Sequence, residues 1–361
     1  MAPRDVAAGG LRIAVVSPLY ESVPPQLYGG TERVVSYLTE ELIRLGHEVT
    51  LFATADSRTR AHLRPYARTG LRLDPDCHDP LAHHFAMIHD VAEAARGFDV
   101  IHFNIDYLHF PVSRALGLNS ITTLHGRLDL PDLVPVYRRF HDLPLVSISD
   151  AQRSPLPWAG WIATVYHGIP TGMLCQGDGG GGYLAFLGRI SPEKRPDRAI
   201  RIARRAGILL KIAAKIDKAD TEYFRTVIEP MLGPGAEFVG EIADGDKQEF
   251  LGNARALMFP IDWPEPFGLV MIEAMACGTP VIAFACGSVP EVVDDGVTGR
   301  IVASEDEAVA ALMHLDHVDR SACRRRFEER FTDTRMASDY VRVYAQLRAH
   351  ALAAPVRAAA A

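Results

Sequence analysis

Glu265 and Glu273 stand eight positions apart in DWPEPFGLVMIEAMACGTP, residues 262–280, and the residues around them decide where each carboxylate goes. Pro264 and Pro266 flank Glu265, so the chain there is extended and cannot be helical. Leu269, Val270, Ile272, Ala274, Met275 and Ala276 then make a short apolar helix, which Gly278 can close in the left-handed conformation ahead of Pro280. The amides of Phe267, Gly268 and Leu269 fall at the start of that helix, where unpaired N–H groups and the dipole favour an anion, most obviously a phosphate. Two carboxylates beside a phosphate would repel it. They are better used as acceptors from neutral hydroxyls, Glu273 from a ribose diol and Glu265 from a sugar. Phosphate at a helix end with two acids gripping hydroxyls describes a nucleotide-sugar site.

A second group of charges suits the same ligand. In GRISPEKRP, Arg189 and Lys194 lie five apart across a turn, so both can bend toward one anion. Arg can grip two oxygens and Lys supplies a point charge. Fixed cations stabilise the charge that a departing nucleoside diphosphate gains, most of all in a water-poor cleft.

The elements that must hold these residues read as alternating strands and helices. LRIAVVS, 11–17, is a first buried parallel strand. Thr31 can cap a helix with apolar residues at Val34, Val35, Leu38, Leu42 and Leu45, stopped by Gly46, and HEVTLFA completes a βαβ unit. Gly29 and Gly30 allow the backbone close to a ligand at the mouth of that helix. The G-x-G-x-x-G of a dinucleotide site does not follow the first strand, which argues against a nicotinamide oxidoreductase. FDVIHFN, 98–104, and SITTLHG, 120–126, are further strands, and His125 sits at a strand end, where crevices of parallel sheets lie. His102 and His167 read as structural histidines. GDGGGG, 177–182, precedes a strand rather than a helix and reads as a flexible connection. YLAFLGRI, ILLKIAAKID, EFVGEI and VIAFA are strands of a second α/β unit, ADGDK after EFVGEI is a turn, and a last helix spans roughly 333–352.

The segment EPFGLVMIEAMACGTPVIA resembles the E-x7-E motif of retaining GT-B glycosyltransferases of family 4, matched at Glu265 and Glu273. The likeness runs from the first strand to the last helix, with GRISPEK its other strong motif. It implies an α/β protein of the GT-B type, two Rossmann-like domains facing across a cleft. Residues 1–168 would form the acceptor-side domain and 169–332 the donor domain. Residues 333–361 would hold a helix crossing back to the first domain and a frayed tail. The resemblance assigns the diphosphate to Arg189 and Lys194, and places Gly29 and Gly30 before the donor phosphates. It puts His125 beside the transferred sugar and Ile242 and Asp244 near the base. His-Gly-Ile-Pro at 167–170 departs from the family's Asn-Gly-Ile-Asp. The implied reaction moves a sugar from a UDP-, GDP- or ADP-sugar to a small-molecule, glycan or lipid-linked acceptor, with retained anomeric configuration and no metal or other cofactor. The alternatives are another GT-B chemistry, a nucleotide-sugar hydrolase, epimerase or phosphorylase, or a binding protein without turnover.

Composition sets outer bounds. At 361 residues two domains are the default, and 45 acidic against 38 basic residues argue against a bulk nucleic-acid binder. Five cysteines without a C-x-x-C pair suggest neither a disulfide framework nor a zinc site, which fits a reducing cytoplasm. The N-terminus shows neither a signal peptide nor a membrane span. Asp74-Pro75-Asp76 matches the D-x-D metal pattern by coincidence, and Cys77, His78, His83, His84 and His89 lack a ligand spacing. Arg60, Arg64, Arg68 and Arg72 repeat every four residues, as one helix face would, although Pro65 interrupts it. They leave open a peripheral contact with lipid phosphates at the inner face of the membrane.

Overall fold

The computed structural model describes residues 10–26, 29–315 and 318–353. The polar stretch 1–9 and most of the tail expected to fray, from 354 on, lie outside them. The chain forms two units, one of Met1–Ile148, Arg153–Tyr166 and Asp333–Ala361, the other of Ser149–Gln152 and His167–Thr332. Each is built on its own parallel sheet.

In the first unit the strands are β1 (Arg12–Val16), β2 (Glu48–Ala53), β3 (His62–Pro65), β4 (Val100–Phe103), β5 (Ser120–Thr123), β6 (Leu145–Ser147) and β7 (Trp161–Thr164), in the order β3-β2-β1-β4-β5-β6-β7. The second has β8 (Tyr183–Arg189), β9 (Leu209–Lys215), β10 (Ala236–Gly240), β11 (Ala256–Phe259), β12 (Val281–Phe284) and β13 (Gly299–Val302), in the order β10-β9-β8-β11-β12-β13. The runs RIAVV, VIHF, ALMF and VIAF are buried along nearly their whole length because helices cover both faces. Both sheets reverse their winding next to the first strand, between β1 and β4 and between β8 and β11. At such a switch point the loops leaving the carboxyl ends diverge and open a crevice.

Local chemistry departs from expectation in two places, the first helix cap and the glycine run, and agrees with the proline break in the arginine series. Helix Gly30–Arg44 starts one residue before Thr31, so its cap is Gly29, whose carbonyl accepts from Arg33 N at 3.1 Å, and no side chain caps it. The arginine series lies on no helix, because residues 62–65 pair with β2 as the edge strand β3. Three of its four members meet acids, Arg60 at Glu40 (2.6 Å), Arg68 at Asp74 (3.5 Å) and Arg72 at Glu21 (3.0 Å). The glycine run 177–182 is packed rather than loose, with Gly177 N donating to Cys277 O (3.0 Å), Gly179 N to Gly252 O (3.0 Å) and Gly181 N to Asn253 O (2.9 Å). A Cβ at Gly177 would lie 2.3 Å from Gly252 O, so glycine is needed there for close approach.

Two interactions tie distant sequence into these units. His102 in β4 is fully buried, bonded to Tyr344 Oη (2.8 Å) and Thr123 Oγ1 (2.7 Å), which fastens helix Asp333–Ala353 to the first sheet. Burial pushes its pKa down to about 3, so it is a neutral core histidine. In the second unit Arg320 donates to the carbonyls of Gly177, Ala254, Gly252 and Cys277 and to Thr279 Oγ1, at 2.8–3.3 Å. Arg320→Met keeps the stem but removes all five of these bonds. It should lower unfolding stability by about 2–4 kcal/mol, read from the urea midpoint.

Candidate functional site

Glu265 owes its position to a loop pinned from three directions. The carbonyl of Glu265 accepts from Ser288 N (3.0 Å), that of Pro266 from Ser149 Oγ (2.6 Å) and that of Phe267 from Ser288 Oγ (2.8 Å). Gly287, at φ +55°, presses against the same backbone so closely that a Cβ would lie 2.4 Å from both Glu265 N and O. Phe267 is buried and packs edge-on to His167, with ring centroids 4.9 Å apart, which places His167 in the packing of the loop. The loop leads into helix Leu269–Ala276, capped by Gly268 at φ +81° and followed by Gly278 at φ +67°. Met271 N donates to the carbonyl of the cap residue Gly268 (3.0 Å), and the amides before it precede the helix's own ladder of bonds.

Around this frame the acids and cations pair. Lys194 Nζ bonds Glu265 Oε2, and the indole Nε1 of Trp263 donates to the same oxygen at 3.0 Å. Glu273, 3% exposed, takes Lys247 Nζ at 2.7 Å on Oε1, and Lys247 also reaches Asp244 at 3.1 Å. Arg189 turns to Glu193 (2.6 Å), Asp217 (3.5 Å) and Asp220 (3.8 Å). The loops after β8 and β11 are themselves joined, by Asp262 N donating to Glu193 O (2.9 Å) and Arg195 to Asp262 (2.6 Å). The second unit therefore gathers Lys194 with Glu265, and Asp244 with Glu273 through Lys247, at the carboxyl side of its sheet. Arg189 and Lys194 each face carboxylates, so the common anion that their spacing allows would have to displace acids.

The residues that the sequence did not mark are Lys247, Trp263, Ser149, Gly287 and Ser288. Lys247 lies in a segment expected to be a turn but is the fourth residue of helix Asp244–Gly252, and the pairing i, i+3 with Asp244 was its only legible signal. Ile242 is half-buried just ahead of that helix.

Gly29, Gly30 and His125 belong to the first unit. A Cβ at Gly29 would meet Pro25 Cβ at 2.7 Å, so local packing already requires that glycine, whereas Gly30 is exposed. His125 follows β5 and shares a 2.9 Å hydrogen bond with Asn104 Oδ1, at the end of β4. The Asn104 amide nitrogen donates to Val16 O (3.4 Å), which turns its oxygen to the ring and makes Nε2 the protonated nitrogen. Though its edge reaches solvent, desolvation pushes His125 down to about 3, so it is a neutral imidazole. Among the described residues no group of three or more His, Cys, Asp or Glu is placed to hold a metal ion, and no helix is long and apolar enough to cross a membrane.

The chain matches two descriptions from known families. Residues 178–329 match glycosyl transferases group 1, and residues 28–170 match glycosyltransferase family 4. Among curated proteins it is similar to D-inositol 3-phosphate glycosyltransferase of Mycolicibacterium smegmatis, 29% identical over 54% of this chain and 46% of that protein. The Streptomyces coelicolor protein of that name is 33% identical over 37% of this chain and 32% of its own length. The chain thus spans less than half the length of these curated relatives. Solved structures share the fold, among them AviGT4, a glycosyltransferase involved in avilamycin A biosynthesis (TM-score 0.69, 23% identity, 94% of this chain and 98% of that one). Sucrose-phosphate synthase from Thermosynechococcus elongatus gives 0.76 at 20% identity, covering 94% and 100%. Anabaena HepE in complex with UDP-glucose gives 0.73 at 16%, covering 93% and 100%.

Substitutions in each unit test this structure. Gly287→Ala should lower stability by about 1–3 kcal/mol in urea titrations, because both φ and space forbid the methyl, whereas Gly245→Ala, which meets open space in a helix, should be neutral or stabilising. Glu32, 5% exposed beside Glu21, has its pKa raised to about 7 by burial. The folded state then binds the extra proton, so stability falls as pH rises from about 4.5 to 7. Glu32→Gln should accordingly raise the melting temperature more at pH 8.5 than at pH 4.5.

Proposed function

Since the chain belongs to glycosyltransferase family 4 and has the GT-B fold, we propose that it transfers a sugar from a nucleoside-diphosphate sugar to an acceptor hydroxyl with retention. The observation that carries this reading is the Lys194–Glu265 pair, set at the switch point of a parallel sheet beside the start of helix Leu269–Ala276. A cation for phosphate and an acid for a hydroxyl are in contact before any ligand arrives. The UDP-glucose bound by a protein of the same fold supports a nucleotide-sugar donor.

In this reading the diphosphate lies against the amides of Phe267, Gly268 and Leu269 and draws Lys194 and Arg189 from their carboxylates. Glu273, oriented by Lys247, accepts from the ribose, with Ile242 and Asp244 toward the base. Glu265 accepts from a hydroxyl of the sugar. The bond between the anomeric carbon and the leaving phosphate oxygen breaks as the acceptor oxygen attacks from the same face. The acceptor's proton passes to the departing phosphate oxygen, so no protein carboxylate is needed as nucleophile. Arg189 and Lys194 stabilise the growing diphosphate charge, worth more there than in water. His125, a neutral imidazole whose Nε2 N–H is taken by Asn104, is the residue assigned to steady the sugar, and the cations take the place of a metal.

Thermal-shift titration with UDP-, GDP- and ADP-sugars in the presence of chelator tests donor class and metal dependence together. One donor should raise the melting temperature with chelator present. Glu265→Ala and Arg189→Ala should each cut kcat/KM by about 10²-fold or more while leaving the unfolding midpoint near that of the parent. Near-normal transfer in both would refute the reading.

A further inference from the structure

Trp263 stands in the middle of the charged loop, and its indole does something the family's charged residues cannot. Pro264 joins it to Glu265 in a tight turn, with Glu265 N donating to Trp263 O at 2.8 Å, so both side chains leave the turn toward the same charges. Its Nε1 donates to Glu265 Oε2 at 3.0 Å. The ammonium of Lys194 bonds that same oxygen while lying 4.9 Å from the indole centroid and 6.0 Å from the ring of Phe259. One ring thus holds the acid by its edge and the cation by its face.

Both donors converge on Oε2, which directs the other oxygen of Glu265 to an incoming hydroxyl. The two donors differ in what a diphosphate does to them. A diphosphate carries more negative charge than one carboxylate and pulls the ammonium away, because Lys is a mobile point charge. The indole N–H is neutral and rigidly attached, and it stays. Without it, Glu265 would lose its last positioning bond as the sugar arrives. The ring face meanwhile keeps the ammonium within the site as it changes partners.

We propose that Trp263 is a positioning residue that keeps Glu265 aimed at the sugar when Lys194 transfers to the diphosphate. The proposal rests on the donor-site reading above, since it needs Glu265 to meet the sugar. It separates the roles of the ring and the N–H: Trp263→Phe keeps a smaller aromatic face and loses the donor.

The first measurement requires no ligand. In 15N-labelled protein, assigned by its loss in Trp263→Phe, the Trp263 indole N–H resonance should shift on Glu265→Gln, and an unmoved resonance would overturn the pair. The second compares affinities for a nucleoside diphosphate and its sugar by calorimetry, using UDP with UDP-glucose, GDP with GDP-mannose and ADP with ADP-glucose and taking the pair the parent binds. In Trp263→Phe the affinity for the nucleotide alone should stay within about twofold. The advantage of the nucleotide sugar over the nucleotide should fall by about tenfold, as it does in Glu265→Gln, and kcat should fall more than KM rises. If Glu265→Gln loses that advantage and Trp263→Phe retains it, the role of Trp263 is wrong and the donor site stands. If both variants retain it, the reading of Glu265 fails and the proposal falls with it.

Discussion

Everything in the second unit's site depends on the loop at Glu265–Phe267 being unable to move. Extended backbone between two prolines has no ladder of its own, so its carbonyls must find donors elsewhere. Three successive carbonyls are met by Ser288 N, Ser149 Oγ and Ser288 Oγ, and Gly287 closes the remaining space. Phe267 anchors the loop in the core below. A carboxylate mounted on such a base can be aimed by one or two further bonds, which is all that Lys194 and Trp263 supply.

Every cation around that base has an acid partner, and the acids outnumber the cations. Lys194 answers Glu265, Lys247 answers Glu273 and Asp244, and Arg189 is surrounded by Glu193, Asp217 and Asp220. Buried or half-buried ions are tolerated only when paired, and these acids and cations are each other's partners. A ligand bringing both phosphate charge and hydroxyl donors can exchange with such pairs group for group. On the proposed reading, a ligand bringing only one of the two would strand a charge.

Much of this could be read from residue types, and the failures have physical reasons. The order of strands and helices followed from buried apolar runs and from Gly46 and Gly278, both at positive φ where helices end. The paired glutamates and the cations of the Arg189 loop were legible because proline, glycine and charge stand at fixed spacings. Lys247 was not, since nothing local says that an exposed-looking lysine meets an acid twenty-six residues away. Ser149 was invisible for the same reason, being 117 positions from the carbonyl it serves. The glycine run at 177–182 misled because glycine serves close packing as well as freedom, and only Gly252 and Asn253 reveal which. The arginine ladder did not mislead, because Pro65 already argued against a continuous helix, and a short edge strand stands there.

The first unit is assembled from both ends of the chain, with helix Asp333–Ala353 supplying Tyr340 and Tyr344 to Thr123 and His102. On a ribosome, the bulk of the second unit, His167–Thr332, is complete in one uninterrupted length before that helix emerges. The amino-terminal sheet, although made first, must wait with an open flank and an imidazole lacking its phenol partner. Synthesis order and completion order are therefore opposite in this molecule, and the half made second is the half that can settle first.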